Sequence, residues 1–381
     1  MAFSHRPSYA LPALKKYFSH ISLPAPHQNI LLQNATREQW ATSFEARDVL
    51  KQLQVYQQAK IPFSNLYLHY SRHHVGTLKP AELFEYLVLS QGIASEGGSG
   101  GSSILAAGKD VLAGVSKVSE SEGRGDLEVE RVRRWEDRVA SGGRGGTCTL
   151  NNTFFGTVMR SFGMRVLCSG ARVAATVLGG ERYRFCGWNH LINLVEFEGK
   201  RWLVDVGFGG DGPACPIELA DGKEVSWGAT GNTLRLIYAP IQEFEDPNQR
   251  CWILQHRQAG KSEWDDVYCF TETEFLPQDI AVMNFKTTGD VRTSFFNHVA
   301  FCGCNVVEEG EVIGKVNLAG GKCKRTVWRG GKWEKEVLGT CESEVERWEI
   351  LERVFGIVLG DEERKGISGM VSELRRKPKD D

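Results

Sequence analysis

A glycine-rich segment changes into a helical pattern at a single cysteine, and this change limits how the middle of the chain can fold. The segment reads "SGGRGGTCTLNN" over residues 141–152. Beyond it, apolar side chains recur every four residues from Leu150 to Phe162, which predicts a buried helix capped by Gly163. Cys148 therefore lies where a flexible loop meets the first turn of that helix.

Composition places this segment in an ordinary globular chain of 381 residues, 41% hydrophobic and 25% charged, which is long enough for two or three domains. The formal net charge is −2, so no overall positive field favours nucleic acid as a partner. No apolar run approaches the roughly 18–20 residues that span a bilayer, and the N-terminus lacks the apolar core of a signal peptide. We therefore expect a cytoplasmic protein with reduced thiols and no membrane partner.

The cysteine pattern argues against a metal site. The chain has ten scattered cysteines and no CxxC pair. Cys302 and Cys304 form one CxC, without a histidine or a second cysteine pair at zinc-finger spacing. We expect no bound metal, and we expect most of the cysteines to be small core residues.

The rest of the chain is predicted to contain helices at both ends and strands between them. Before the glycine-rich segment, helices are predicted at 35–59 and 79–89, with 61–71 extended. Residues 92–143 have linker composition, as in "SEGGSGGSS", and predict a mostly mobile insertion. A closing amphipathic helix is predicted at 343–357. The principal predicted strands are 165–178, 190–208, 233–239, 251–257 and 267–270.

A histidine and an aspartate are predicted to meet across one of these strand pairs. If residues 198–199 form a two-residue turn, Asp205 lies opposite Ile192. His190 is two residues from Ile192 and points to the same face. His190 and Asp205 then become diagonal neighbours, with Cα atoms roughly 7–8 Å apart. A slip of one residue would separate them, and Glu-Gly is a weaker turn signal than Asn-Gly.

These groups together suggest a reactive thiol at Cys148. A free thiol has a pKa of about 8.5, and a helix N-terminus and a nearby imidazolium both stabilise the thiolate. Asp205 would orient the His190 ring, and the glycines would let a substrate approach and leave backbone N–H groups free for an oxyanion. Spacing alone leaves structural roles open for all three residues, and the glycines also suit a disordered element.

Three ordered motifs resemble the arylamine N-acetyltransferases, and the fungal members in particular. The motifs are "RGGTC" (144–148), "WNHLINLV" (188–195) and "LVDVGFGGDGPACPIEL" (203–219). This resemblance implies an α+β fold with a papain/transglutaminase-like cysteine core. The implied domains are a helical domain at 1–163 that ends in the Cys-bearing helix and contains the insertion, a β-barrel at 164–280, and an α/β lid with a C-terminal helix at 281–381.

The resemblance also implies a role for each motif residue. Cys148 would be the acyl-accepting nucleophile, His190 the base and later the acid, and Asp205 the residue that orients the ring. Phe63 and Phe208 would line the acceptor pocket. The implied coenzyme A contacts are Cys186, Gly187, Lys286, Arg292, Thr293 and Ser294. Position 147 is Thr where the family usually has an aromatic residue, and Thr149 replaces a frequent Glu or Gln, so acceptor preference stays open.

The implied activity is ping-pong acyl transfer, which would serve to detoxify xenobiotics. The donor substrate would be acetyl- or malonyl-coenzyme A, with no permanently bound cofactor. The acceptors would be arylamines, arylhydroxylamines or hydrazines. Two alternatives remain: the same three residues could serve a hydrolase or a transglutaminase, or the chain could be a catalytically silent binding protein. The sequence does not indicate an oligomeric state.

Overall fold

The computed structural model describes residues 6–34, 38–89 and 143–375. The predicted insertion at 92–143 lies outside these ranges except for its last residue, so its character stays a prediction. No helix in the three described stretches is long and apolar enough to cross a membrane.

Short helices build the first part of the chain. They are α1 (Leu11–His20), α2 (Ala25–Asn34), α3 (Glu38–Ala41), α4 (Phe44–Lys60), α5 (Leu66–His69) and α6 (Pro80–Phe84), which continues as a π-helical turn at Glu85–Leu89. The predicted helix at 79–89 is confirmed. The predicted helix at 35–59 is divided into α3 and α4. Ser43 is the N-cap of α4, because its hydroxyl accepts a hydrogen bond from the Ala46 N–H.

The extended segment predicted at 61–71 is largely wrong. Only Phe63–Ser64 forms a strand, β1, and α5 follows after one residue. All four side chains of α5 are buried. Tertiary packing therefore overrides the aromatic and β-like composition of this segment.

The helix predicted after the glycine-rich segment is confirmed as α7 (Cys148–Arg160). Gly163 has a φ of +77° in the turn that follows, a conformation that glycine adopts without a steric penalty. Phe154, Phe155 and Val158 are fully buried in a core that they share with the N-terminal helices and with strands β3 (His190–Phe197) and β4 (Lys200–Val204). The core therefore fixes the start of α7 against these two strands.

Eight antiparallel strands form the central sheet, in the order β5-β4-β3-β2-β9-β8-β7-β6. The others are β2 (Val166–Val173), β5 (Ile217–Glu218), β6 (Glu224–Ser226), β7 (Thr233–Ala239), β8 (Cys251–Arg257) and β9 (Asp265–Phe270). Their inward side chains share one apolar core, and the sheet is a nearly closed barrel. The strand predicted at 165–178 ends early, because Ala175–Leu178 turns into a 3₁₀ helix.

The hairpin between β3 and β4 has the predicted register. Phe197 pairs with Lys200, and Asn193 pairs with Val204. Glu198 and Gly199 both have positive φ, +50° and +72°, as a two-residue type I′ turn requires. The next residues in this register are Ile192 and Asp205, as the sequence predicted.

A second, five-stranded antiparallel sheet lies in the C-terminal part, in the order β1-β10-β11-β12-β13. Its later strands are β10 (Phe301–Glu308), β11 (Glu311–Ala319), β12 (Lys322–Arg329) and β13 (Lys332–Thr340). Before them comes α8 (Pro277–Asn284) with a π-helical turn at Phe285–Gly289, and after them come α9 (Glu344–Phe355) and α10 (Asp361–Gly366). The predicted closing helix is thus confirmed. The proposed division at 163 and 280 stays a prediction.

Candidate active site

The glycine-rich loop is fixed to the start of β1 rather than left free. The Gly146 N–H donates to the Pro62 carbonyl at 3.1 Å, and the Ser64 N–H donates to the Gly146 carbonyl at 3.0 Å. Gly145 has a φ of +66°, and a Cβ there would collide with the Pro62 carbonyl. The expectation that the loop N–H groups would be free for an oxyanion is therefore wrong for Gly146. The loop instead fixes Cys148, which is only 3% exposed, at the first position of α7.

His190 and Asp205 meet as the hairpin register predicts. His190 Nε2 lies 2.7 Å from Asp205 Oδ2, and the two residues are 2% and 0% exposed. The Cys148 side chain lies close enough to the His190 ring to raise its pKa, and the Cys148 thiol donates to the Asn189 carbonyl at 3.8 Å. The structure therefore brings together all three residues that the sequence grouped.

Three further donors satisfy the Asp205 carboxylate. Oδ1 accepts from Asn152 Nδ2 at 2.8 Å and from the Gly207 N–H at 2.8 Å. Oδ2 accepts from Tyr268 Oη at 3.0 Å in addition to the His190 bond. A fully buried carboxylate needs such partners, because an unpaired charge in the interior costs several kcal/mol.

His190 and Asp205 shift each other's pKa values. Burial alone would lower the pKa of His190, but the Asp205 carboxylate, helped by the contact with Cys148, raises that pKa to about 10. Burial would raise the pKa of Asp205, yet His190 and the donors from Asn152 and Gly207 lower it below its ordinary value. Near neutral pH the two groups are thus an imidazolium and a carboxylate. An imidazolium beside a thiol at a helix N-terminus is the setting in which proteins stabilise a thiolate nucleophile.

Sequence reasoning missed two residues that complete this arrangement. Asn152 lies four residues after Cys148 and so on the same face of α7, a spacing that could have identified it. Its amide also donates to the Leu191 carbonyl at 2.6 Å and accepts from the Val206 N–H at 3.0 Å. Tyr268 reaches Asp205 only because β9 pairs with β2, and no local pattern indicates that contact.

A pair of glutamines was also missed. Gln54 and Gln58 of α4 donate to the Asp205 backbone carbonyl at 3.2 and 3.1 Å, and each donates to the Pro213 carbonyl at 2.9 Å. Both side chains are buried. They hold the two ends of the loop at 205–213 against α4.

Of the two predicted pocket aromatics, Phe208 belongs to that loop and Phe63 packs against it. Phe208 packs edge-to-face on the His190 ring at 5.1 Å and contacts the Tyr268 ring at 5.2 Å. Phe63 approaches Gly209, where an added Cβ would lie 3.0 Å from the Phe63 ring. The structure therefore brings Phe63 and Phe208 to one loop beside His190, and their acceptor-binding role stays a prediction.

The predicted coenzyme A contacts from the lid gather around one aspartate. Asp290 accepts from Lys286 Nζ at 2.5 Å and from Thr293 Oγ1 at 2.7 Å, and Arg292 Nε lies 4.0 Å away. The Ser294 hydroxyl donates to the Thr287 carbonyl. The Arg292 side chain is 89% exposed and so can reach a ligand in solvent.

The other two predicted contacts lie in the connection from β2 to β3. The Cys186 N–H donates to the Val173 carbonyl at 2.9 Å, and an added Cβ at Gly187 would meet no atom within 4 Å. The next residue, Trp188, packs in one cluster with Ile280 and Met283 of α8. This connection therefore lies beside the helix that leads into the residues around Asp290.

Metal ligation does not account for these residues in the described part of the chain, and a small cavity of about 10 Å³ adjoins Phe63, Val206 and Gly209. Within residues 6–34, 38–89 and 143–375, no group of three or more His, Cys, Asp or Glu could hold a metal ion. A cavity of about 300 Å³ lies elsewhere, lined by Arg47, Lys51, Cys215 and Glu311 among others, and includes none of the predicted site residues.

Comparison with known proteins gives consistent matches. The N-acetyltransferase family model matches residues 127–364. The N-malonyltransferase FDB2 of Fusarium pseudograminearum is 32% identical over 378 residues, covering 95% of this chain and 93% of the relative. The arylamine N-acetyltransferase of Escherichia coli is 29% identical over 169 residues, covering 44% of this chain and 53% of that protein.

Solved structures share the fold. The arylamine N-acetyltransferase from Mycobacterium abscessus superimposes with a TM-score of 0.62 at 18% identity, covering 93% of both chains. The Mycobacterium marinum enzyme in complex with CoA gives a TM-score of 0.60 at 21% identity, covering 94% of this chain and 99% of that one. The predicted α+β, papain-like cysteine fold is therefore confirmed.

Gly207 lies so close to Cys148 that a side chain at residue 207 would disturb the thiol. A Cβ at residue 207 would lie 2.7 Å from Cys148 Cα and 2.6 Å from Asn152 Nδ2, so Gly207→Ala must displace the thiol or the Asp205 loop. We expect the rate of Cys148 alkylation by iodoacetamide to fall about tenfold or more, measured by intact mass over time. Gly210→Ala is the control, because its Cβ would meet only the flexible Lys315 side chain. Equal alkylation rates in the two variants would contradict the prediction.

Proposed function

The chain belongs to the arylamine N-acetyltransferase family, and from this membership we propose that it moves an acyl group from acyl-coenzyme A, through a Cys148 thioester, to the nitrogen of an arylamine, arylhydroxylamine or hydrazine. The observation that carries the proposal is the buried contact of Cys148, His190 and Asp205. Relatives that match nearly the whole chain are acyltransferases by name.

In the first half-reaction the Cys148 thiolate attacks the thioester carbonyl of the donor. The new bond joins Sγ to the acyl carbon, and the bond between that carbon and the coenzyme A sulfur breaks. His190 holds the proton taken from Cys148 and gives it to the departing coenzyme A thiolate. Asp205 keeps the ring oriented and stabilises its charge.

In the second half-reaction an amine nitrogen attacks the Cys148 thioester. His190, neutral after the first step, takes the proton that the nitrogen loses as the amide bond forms. Cys148 leaves as a thiolate beside the new imidazolium, which restores the starting state. A ping-pong sequence follows, because coenzyme A departs before the acceptor reacts.

Arylamines suit the surroundings of His190 as acceptors. An aromatic amine is neutral at pH 7, so its lone pair is available, and its flat ring is suited to pack against aromatic side chains such as Phe63 and Phe208. Phe208 already contacts the His190 ring edge-to-face, which places an aromatic surface beside the proton acceptor.

We include malonyl-coenzyme A among the donors beside acetyl-coenzyme A. Relatives 30–32% identical over 95–96% of this chain are named N-malonyltransferases. A malonyl group ends in a carboxylate, and Lys286 and the exposed Arg292 are cations in the predicted donor-binding segment.

We place the enzyme in the cytoplasm and assign it a role in detoxifying xenobiotic amines. The proposal needs a reduced thiol at Cys148, and the cytoplasm keeps thiols reduced. N-acylation also removes the basicity and nucleophilicity of an amine.

Intact-mass measurement tests the transfer directly. Incubation with acetyl- or malonyl-coenzyme A alone should add the mass of one acyl group, and addition of aniline should remove it and yield the anilide. Cys148→Ala should gain no mass, whereas the control Cys215→Ala, at a partly exposed cysteine in the cavity away from the predicted site residues, should be acylated like the wild type. No adduct on the wild type would favour a silent binding protein. Loss of the adduct to water at the same rate with and without aniline would favour a hydrolase.

Donor preference is tested at Arg292. Arg292→Ala should lower kcat/KM for malonyl-coenzyme A by about tenfold relative to acetyl-coenzyme A, which is within the effect of one charge-assisted contact. The control is Arg165→Ala, another exposed arginine, whose side chain pairs with Glu196. Equal losses with both donors in Arg292→Ala would contradict a role in recognising the carboxylate.

A further inference from the structure

A buried asparagine holds the segment that follows the predicted donor contacts. Asn65 Nδ2 donates to the carbonyls of Phe296 and Val299, at 2.7 Å in each case. Its Oδ1 accepts from the Phe301 N–H at 2.8 Å. Asn65 is fully buried, so these bonds are shielded from water. The path of residues 296–301 is therefore fixed from the segment that also carries Phe63.

A buried histidine one turn later supports the same segment. His69 Nε2 lies 3.0 Å from the Phe296 carbonyl, and His69 Nδ1 lies 2.7 Å from Ser372 Oγ. His69 Nε2 also lies 3.0 Å from Asn65 Nδ2, but both hydrogens of that amide go to the Phe296 and Val299 carbonyls. We therefore assign the His69 proton to Nε2, which donates it to the Phe296 carbonyl, and Nδ1 accepts from the Ser372 hydroxyl. Burial lowers the pKa of His69 to about 4, so the ring remains neutral. His69 thus links residue 296 to the C-terminal segment, residues 367–375.

Ser372 is itself held firmly. Arg347, which is fully buried, donates to the Ser372 carbonyl at 3.1 Å. Glu344 accepts from the Leu374 N–H at 2.8 Å and from Tyr70 Oη at 2.6 Å. The C-terminal segment is therefore tied to α9 and to the end of α5, and it presents the Ser372 hydroxyl to His69 in one orientation.

The supported segment is also bonded to the donor loop, which we define as residues 285–294. Asn297 Nδ2 donates to the Thr288 carbonyl at 2.9 Å. The Ser294 hydroxyl donates to the Thr287 carbonyl, and the Ser294 N–H donates to the Asp290 carbonyl at 3.0 Å. A displacement at 296–299 would therefore be transmitted to the residues around Asp290.

We propose that His69 and Ser372 are positioning residues that fix the donor loop for acyl-coenzyme A. This inference rests on the proposed function, because it takes the donor loop as part of the donor site. Loss of the Ser372 hydroxyl leaves His69 Nδ1 buried without its donor, a defect that the local structure relieves by loosening. The Cys148, His190 and Asp205 group is held by other elements and stays intact. Donor binding then weakens while the chemistry of the thiol is preserved.

The Ser372→Ala variant tests whether donor binding can be weakened without a change in the reactivity of Cys148. We expect its KM for acetyl-coenzyme A, with aniline as acceptor, to rise about five- to tenfold, in line with one unsatisfied buried group. The kcat should change less than about twofold, as expected when only binding is lost. Acylation by p-nitrophenyl acetate, which lacks coenzyme A, should match the wild type. Ser372→Thr keeps the hydroxyl and should restore the KM, and Ser368→Ala is the control at an exposed serine of the same segment.

Hydrogen exchange provides a readout that does not depend on activity. Amides in a peptide spanning 294–301 should exchange faster in Ser372→Ala than in the wild type, whereas a peptide from β8 should be unchanged. An unchanged KM or unchanged exchange would overturn the inference, and so would an equal loss with p-nitrophenyl acetate. A wild type that forms no thioester from acyl-coenzyme A would instead defeat the proposed function, and the exchange result alone would then decide whether Ser372 holds the loop.

Discussion

The buried carboxylate of Asp205 is the constraint on which the centre of this molecule depends. Isolated in the interior it would be strongly destabilising, so the surrounding elements must all supply donors. The helix of Cys148 contributes Asn152, the first hairpin strand contributes His190, and strand β9 contributes Tyr268. The Asp205 carboxylate therefore has its donors only when the helices are packed against the barrel sheet.

The Cys148, His190 and Asp205 group and the predicted donor-binding residues are held in different ways. Cys148, His190 and Asp205 are almost fully buried and are held by regular elements. Four of the six predicted donor contacts lie on the loop at 285–294, where the Lys286 and Arg292 cations are exposed and are joined through Asp290. Under the proposed function, the reacting groups are thus fixed by the core, whereas donor preference would depend on exposed side chains that can change without disturbing it.

Much of the site could be predicted from sequence because its geometry is local. The two-residue period of strands and the positive φ at Glu198 and Gly199 suffice to bring His190 beside Asp205. Tyr268 could not be predicted, since its position depends on pairing between strands almost a hundred residues apart. The extended structure expected at 61–71 failed because burial of the α5 side chains outweighs local preference. The roles of the individual site residues and the three-domain division remain predictions.

The most direct test of the central claim is the titration of His190, followed by NMR with ring-labelled histidine. We expect the His190 ring to stay protonated through pH 8 and to titrate with a pKa of about 10. In Asp205→Asn only burial and the contact with Cys148 remain, so the pKa should fall below the ordinary histidine value of about 6.5. His69, which burial keeps at a pKa of about 4, is the internal control and should not change. A His190 pKa near 6.5 in both proteins would contradict the claim that the buried carboxylate holds the imidazolium beside the thiol.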